Sequence, residues 1–376
     1  MTEMQHLVIK PTLACTARCP TCAPRRELHR RVRAERQLSF EDWERVLAEA
    51  RDLGVWEFTL SGGEPTLYDR LADLARIGSS YSWVVRINTN GSRIDEAMAS
   101  RLLDAGVNYI DVSLYGSSAA VHDPMRGRRG SWQEATAAIE MLARLAPHYP
   151  GFRLMTQTIL SRHNYLDFPE LIRLHRRLGS TGVLVSYVEG DFGGQHLPEP
   201  CQIQGFRQQV LSEMEEVART TDVYVRGAAC EALAQLFSPR LLQDAEWASG
   251  RYRPARGHCS VPSQQALVLA NGDVHPCNMV EYAHEPIMGN LWHESLAVIW
   301  EGPRWYTFRR QLHEKCELCP MGLHVYVPLQ AGRGAVAMGR WILQALQLSG
   351  VEPALYGFVR KQITRWRRRA RTRPHL

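Results

Sequence analysis

Between residues 6 and 190 the chain alternates six strand-like runs with helix-like ones, and few folds accept that order. The strand-like runs fall at residues 6–12, 55–60, 83–89, 109–113, 152–160 and 181–187. They are rich in Val, Ile, Leu and Thr. Several are nearly continuous apolar runs, the pattern of strands buried on both faces of a parallel sheet. Phe40-Glu41-Asp42-Trp43 opens one of the intervening helices, with Ser39 as its N-cap. Residues 93–105 form another, closed by Gly106, and residues 131–145 and 165–178 follow, the last closed by Gly179. Six β/α units in a row predict an α/β fold with a partial barrel and an active site at the C-terminal ends of its strands.

Composition narrows the class. Apolar residues make up 45% and charged residues 22% of the 376, which suits a globular enzyme. The first strand begins about six residues after Met1, so no signal peptide is expected there. No apolar run approaches the roughly 18–20 residues of a membrane span. A cytoplasmic location is expected, and nine cysteines in such a chain point to metal binding rather than disulfides. The net charge of +6 belongs to the C-terminus: residues 360–376 hold eight Lys and Arg and no Asp or Glu. Without those eight, 37 basic residues face 39 acidic ones. An anionic partner would therefore meet the tail and not the body.

Seven of the nine cysteines form two constellations. Cys15, Cys19 and Cys22 stand at the end of the first strand-like run as Cys-x3-Cys-x2-Cys. Three thiolates on one loop can hold three corners of a [4Fe-4S] cluster and leave one iron open. The second strand-like run ends in Ser61-Gly62-Gly63-Glu64-Pro65, and the third in Asn88-Thr89-Asn90-Gly91. Together these pieces resemble the radical S-adenosylmethionine (radical SAM) superfamily. The resemblance covers about residues 6–325 and implies a (β/α)6 barrel. It implies that the open iron takes the amino and carboxylate groups of SAM, with Gly62, Gly63 and Glu64 holding the methionyl amine. Reduction then cleaves SAM to a 5′-deoxyadenosyl radical that abstracts hydrogen, and the protein supplies position and protection. Thr21 stands where the family usually has an aromatic residue, so adenine packing must come from elsewhere.

Further SAM contacts implied by the resemblance are Asn90, Ser113 at the end of the fourth strand, Arg126 toward the SAM carboxylate, and Gln157 on the fifth strand. A guanidinium suits a carboxylate because its fork matches the two oxygens. For each, an ordinary strand-end polar residue or a solvated arginine is the competing reading.

The second constellation is Cys259, Cys277, Cys316 and Cys319. Residues 265–270 read as a strand, Asn271-Gly272 as a type I′ turn and residues 273–276 as the return strand. By spacing alone a zinc ribbon is an alternative. Behind a radical SAM barrel the arrangement resembles the SPASM/twitch extension, a small β-hairpin/helix domain with an auxiliary [4Fe-4S] cluster. No cysteine follows Cys319, which favours the one-cluster twitch form. Four protein ligands leave no open iron, so the cluster is expected to accept an electron from the substrate radical.

The expected organisation is a barrel over 1–200, a helical linker over 201–256, the auxiliary-cluster domain over 257–325 and an apolar, then basic, amphipathic helical tail over 326–376. Tyr187, Glu189 and Asp191 follow the sixth strand, and Glu189 or Asp191 could accept a substrate proton. Cys201 and Cys230 could donate hydrogen atoms or simply fill space. The tail keeps a membrane surface open as a partner; nucleic acid is disfavoured. A low-potential electron donor such as flavodoxin or ferredoxin is implied. The substrate reading placed first is a small polar metabolite, sugar- or aminocyclitol-like, oxidised or rearranged. The alternatives are a ribosomal peptide that is cross-linked or epimerised, and a non-catalytic metal-binding scaffold.

Overall fold

In the computed structural model of the protein the described residues are 3–187, 261–277, 287–311 and 325–328, with single positions at 196, 202, 209, 210, 212, 213 and 216. Strands β1 (His6–Lys10), β2 (Glu57–Leu60), β3 (Val84–Thr89), β4 (Tyr109–Ser113), β5 (Arg153–Leu160) and β6 (Gly182–Tyr187) pair in parallel in chain order. Helices α1 (Arg26–Ala34), α2 (Phe40–Asp52), α3 (Leu71–Ser80), α4 (Glu96–Asp104), α5 (Ala119–Arg126), α6 (Ser131–Leu145) and α7 (Phe168–Arg177) fill the connections. This is the expected α/β partial barrel.

The later segment continues the same sheet. Strand β7 (Gln265–Leu269) pairs in parallel with β1 on the edge away from β2. Strands β8 (Asp273–His275) and β9 (Gly289–Asn290) follow it antiparallel, and helices α8 (Leu296–Glu301) and α9 (Pro303–Arg310) come next. At the far edge β10 (Val325–Pro328) lies antiparallel to β6.

Local chemistry sets the element ends. Ser39 caps α2 in a capping box: its hydroxyl accepts the Asp42 N–H at 3.1 Å, and the Asp42 carboxylate accepts the Ser39 N–H at 2.9 Å. Helix α4 starts at Glu96 rather than near residue 93, because the Asp95 carboxylate accepts the Met98 N–H at 2.7 Å and fixes the first turn there. Helix α7 starts at Phe168 rather than near 165, because the Asn164 side chain accepts the Ser161 N–H and holds that stretch as a turn. The β7–β8 connection is not type I′. That turn needs positive φ at both central residues, and only Gly272 has it (φ +86°); Asn271 does not. Instead Gly272 N–H donates to Leu269 O, and the Asn271 side chain accepts the Asp273 N–H.

Strand residues alternate between two environments. Leu7, Phe58, Val85, Ile110, Leu154 and Val183 join one core with the helices. The opposite face carries polar groups inside the barrel. There Arg86 and Asp111 form a buried ion pair, and His6 hydrogen-bonds Thr59 at 2.9 Å. A second small core, in which Leu28 and Val32 of α1 meet Val8 and Leu267, covers that face at β1 and β7. Among the described residues no helix is long and apolar enough to cross a membrane.

Two fully buried histidines make stability depend on acid. His122 is lowered to about 3, by burial first and then by the Arg126 charge; His175 is lowered to about 3, by burial first and then by His122. Unfolded histidine takes up its proton near 6.5, whereas these two stay neutral until far lower pH. The unfolded state therefore binds more protons between those values, and stability falls as pH drops through that window. At pH 5 each histidine should have cost about 2 kcal/mol. Urea midpoints of the apo-protein at pH 7 and pH 5 check this, and equal midpoints would refute it.

Candidate active site at the strand tips

The loop after β1 is held against the tip of β2 by main-chain bonds. Ser61 N–H donates to Ile9 O at 3.0 Å, Gly63 N–H to Thr12 O at 3.0 Å, and Glu64 N–H to Ala14 O at 2.8 Å. The two chains meet backbone to backbone, which explains both glycines. A Cβ on Gly62 would lie 2.3 Å from Thr12 O, and one on Gly63 would lie 2.2 Å from Ala14 O and 2.6 Å from Leu13 O. This zipper delivers Cys15 to the strand tips. Cys22 N–H then donates to Cys19 O at 3.0 Å in the turn that follows, and the Cys19 thiol is hydrogen-bonded to Cys22.

Glu64 is 0% exposed, and its carboxylate is occupied by protein. Oε1 accepts from Thr66 N–H (3.2 Å), Thr66 Oγ1 (2.6 Å) and Thr89 Oγ1 (2.7 Å); Oε2 accepts from Asn90 N–H (2.7 Å). Each carboxylate oxygen offers about two acceptor sites; three donors crowd Oε1 and one reaches Oε2, in a site closed to water. Glu64 thus ties the tips of β2 and β3 together. The Asn90 side chain continues the tie to the cysteine loop: its Nδ2 lies 2.9 Å from Thr16 Oγ1 and 3.8 Å from Cys15 Sγ, and its Oδ1 accepts the Ser92 N–H. Thr16 and Ser92 hydroxyls bond each other at 2.7 Å.

From the other side α5 brings Arg126, which is only 6% exposed and stacks over the Tyr115 ring at 4.8 Å. Its backbone carbonyl accepts the Arg18 N–H at 3.0 Å. Gly127 follows at φ +58°, where a Cβ would lie 2.3 Å from Arg18 O, so this contact too is close main-chain packing. Burial acts to lower Arg126, but the Cys19, Tyr115, Cys22 and Cys15 side chains outweigh it and its pKa is raised. Tyr115 is pushed up to about 12, chiefly by burial. The Cys15 thiol is raised by burial of its sulfur, against the Ala17 N–H at 3.4 Å and the Arg126 charge, although the residue as a whole is exposed. The Cys19 thiol is raised by a hydrogen bond with the Cys22 side chain and by burial.

Ser113 and Gln157 pair in register on adjacent strands and are half-buried on the barrel side. Gly62, Gly63, Glu64, Asn90 and Arg126 all reach the cysteine loop or the strand tips beside it. Roles for Thr66, Thr89, Thr16 and Tyr115 were not anticipated; the only signal was their place, Thr89 at the end of β3, Thr16 inside the cysteine motif, and Thr66 and Tyr115 two residues past Glu64 and β4. Cys277 is buried just past β8. Cys259, Cys316, Cys319, Cys201, Cys230, Glu189, Asp191 and the basic tail lie outside the described residues, as does the side chain of Tyr187 and nearly all of the expected helix after residue 202.

A [4Fe-4S] cluster and SAM suit these residues. Three thiols share one loop, glycines leave room for close main-chain approach, and a buried cation faces the thiols where anionic ligands would gather.

Comparison with known proteins agrees. The radical SAM superfamily model matches residues 9–180, and the iron–sulfur cluster-binding SPASM domain model matches residues 259–320. A PqqA peptide cyclase of Rhizobium meliloti is 26% identical, over 82% of this chain and 77% of the relative. A PqqA peptide cyclase of Streptomyces rochei is 25% identical (84% and 81%), and an AdoMet-dependent heme synthase of Methanosarcina barkeri is 22% identical (75% and 80%). In fold, the chain resembles Streptococcus suis SuiB bound to precursor peptide SuiA (TM-score 0.59, 17% identity, 85% of this chain and 72% of that one). It also resembles anSMEcpe with bound AdoMet and Cp18Cys peptide (TM-score 0.59, 16% identity, 84% and 86%). The chain belongs to the radical SAM superfamily: it is an enzyme of the [4Fe-4S] and SAM type with a SPASM auxiliary iron–sulfur domain.

Proposed function

We propose that the protein modifies a ribosomal peptide at an unactivated C–H bond. The observation that carries this is similarity over more than four-fifths of the chain to relatives named as PqqA peptide cyclases. It reverses the order read from sequence, where a small polar metabolite stood first.

A cluster and SAM bound at the strand tips supply reductive C–S cleavage and a carbon radical that takes a hydrogen atom from the substrate. Cys15, Cys19 and Cys22 hold the cluster, and the Gly62–Gly63 main chain fixes their loop. With the Glu64 carboxylate buried and bonded to four protein donors, the carbonyls of Gly62 and Gly63 would be the motif's acceptors for the methionyl amine. Arg126 would neutralise the SAM carboxylate, and Ser113 and Gln157 would meet the nucleoside. Cys259, Cys277, Cys316 and Cys319 would hold the auxiliary cluster, which would supply a one-electron acceptor for the substrate radical. Glu189 or Asp191 takes the accompanying proton, so the peptide loses a pair of hydrogens as a bond closes. A flavodoxin- or ferredoxin-type donor supplies the electron that cleaves SAM.

The test is anaerobic. Iron-loaded enzyme should bind about eight irons per chain and release 5′-deoxyadenosine from SAM with dithionite. Cys15→Ala, Cys19→Ala and Cys22→Ala should each abolish that release. Short peptides encoded beside the gene should lose a pair of hydrogens by mass spectrometry. Intact peptide beside an altered small metabolite would overturn the peptide reading.

A further inference from the structure

The three cysteines of the loop do not share one environment. Cys19 and Cys22 are free thiols, the first buried and the second half-buried. Cys15 instead faces nitrogen donors: the main-chain N–H of Ala17 at 3.4 Å and the side-chain amide of Asn90 at 3.8 Å, within range for a bond to sulfur. The Asn90 amide is held in place from every side. Its backbone N–H is bonded to Glu64, its Oδ1 accepts from Ser92, and its Nδ2 donates to Thr16, which is itself bonded to Ser92. The side chain is buried, so water does not compete for the amide.

We infer that Asn90 tunes the reduction potential of the cluster at Cys15 by donating an N–H to that sulfur. Hydrogen bonds to cluster sulfurs are one of the levers that set such potentials. A donor favours the state with more negative charge on the sulfur, which is the reduced one. Asn90 therefore makes the cluster easier to reduce. The geometry also explains why an amide suits the position. One Nδ2 carries two hydrogens, so it can serve Thr16 and Cys15 together, while Oδ1 anchors the loop at Ser92. A hydroxyl has one hydrogen and cannot serve both acceptors. Aspartate keeps the acceptor for Ser92 but turns a second oxygen toward the sulfur.

The inference rests on Cys15 being a cluster ligand, and one experiment separates the two claims. Anaerobically loaded full-length wild type, Asn90→Leu and Asn90→Asp are titrated with dithionite against redox mediators. The one-electron reduction is followed by electron paramagnetic resonance, using the signal that changes when SAM is added. That criterion distinguishes the open-iron cluster from the auxiliary one. The midpoint should fall from wild type to Leu, through loss of the donor, and fall further in Asp, through the added charge. Iron content should be retained. Wild-type midpoints in both variants would overturn the inference, because Asn90 would not act on the sulfur. Loss of the SAM-sensitive signal in both would also overturn it, since Asn90 would then be a strut only. If wild type itself lacked a SAM-sensitive signal, it is the Cys15 ligation that would fail.

Discussion

Gly63→Ala should abolish SAM cleavage and remove about half of the bound iron, while most of the barrel stays folded. The new methyl would stand 2.2 Å from Ala14 O and 2.6 Å from Leu13 O. Both neighbours are main-chain atoms, so neither can rotate aside as a side chain would. Gly63 is not in the left-handed region, so the effect is purely steric. Overpacking a close contact costs about 1–3 kcal/mol, and two rigid carbonyls place this site at the upper end. The cheapest relief is to break the Gly63–Thr12 and Glu64–Ala14 bonds and let the loop before Cys15 lift. That movement displaces Cys15 relative to Cys19 and Cys22, and a cluster site tolerates little of it. Gly130→Ala is the matched control. It has positive φ (+84°) but nothing within 4 Å of the new Cβ, so it should cost about 1–2 kcal/mol of backbone strain and leave iron and SAM cleavage intact. Equal iron content in Gly63→Ala and wild type would show that the zipper does not shape the cysteine loop.

Much of the barrel was legible because its strands are short runs rich in Val, Ile, Leu and Thr between helix-like segments, although in the structure only the helix-facing side is apolar throughout and the inner face carries Thr59, Arg86 and Asp111. Phe58 and Leu60, Val85 and Ile87, and Ile110 and Val112 mark one face whatever stands between them. The β1–β7 pairing was not legible. It joins residues 6–10 to 265–269, and no local pattern reports a partner so distant in the chain. The hairpin turn misled because Asn-Gly favours a type I′ turn locally, yet Asn271 spends its side chain on Asp273 and Glu35 and keeps negative φ. At the site, the cysteine triplet and glycines were readable as a motif, since their spacing encodes their task. The Thr66 and Thr89 hydroxyls were not, because a threonine at or near a strand end is common and only its distance to Glu64 gives it meaning. The resemblance implies a ligand role for the whole Gly62-Gly63-Glu64 motif, and within it the structure divides a further task between two glycines that admit a neighbouring chain and one carboxylate that ties two strands.

That division predicts a clear result for Glu64. Glu64→Gln should lower the stability of the apo-protein, with no SAM or iron present, by about 2–4 kcal/mol, read as a fall in the urea midpoint. The carboxylate accepts four hydrogen bonds in a site closed to water. A carboxamide offers one oxygen and one NH2. With its oxygen toward Thr66 and Thr89, its nitrogen meets the Asn90 N–H donor to donor. With its oxygen toward Asn90, its nitrogen meets the Thr66 N–H, and the two threonine hydroxyls must turn around to accept. Either way one buried main-chain donor is orphaned, at about 1–3 kcal/mol, and a charge-assisted bond is lost as well. Glu64→Ala orphans them all and leaves a void, so it should cost more. If Glu64 served chiefly as the acceptor for SAM's ammonium, removing its charge would raise the KM for SAM and leave the apo-protein's urea midpoint where it was. The two roles thus separate in a measurement made before any cofactor is added. A strand tie must be felt in the empty protein, because the bonds it makes are there already.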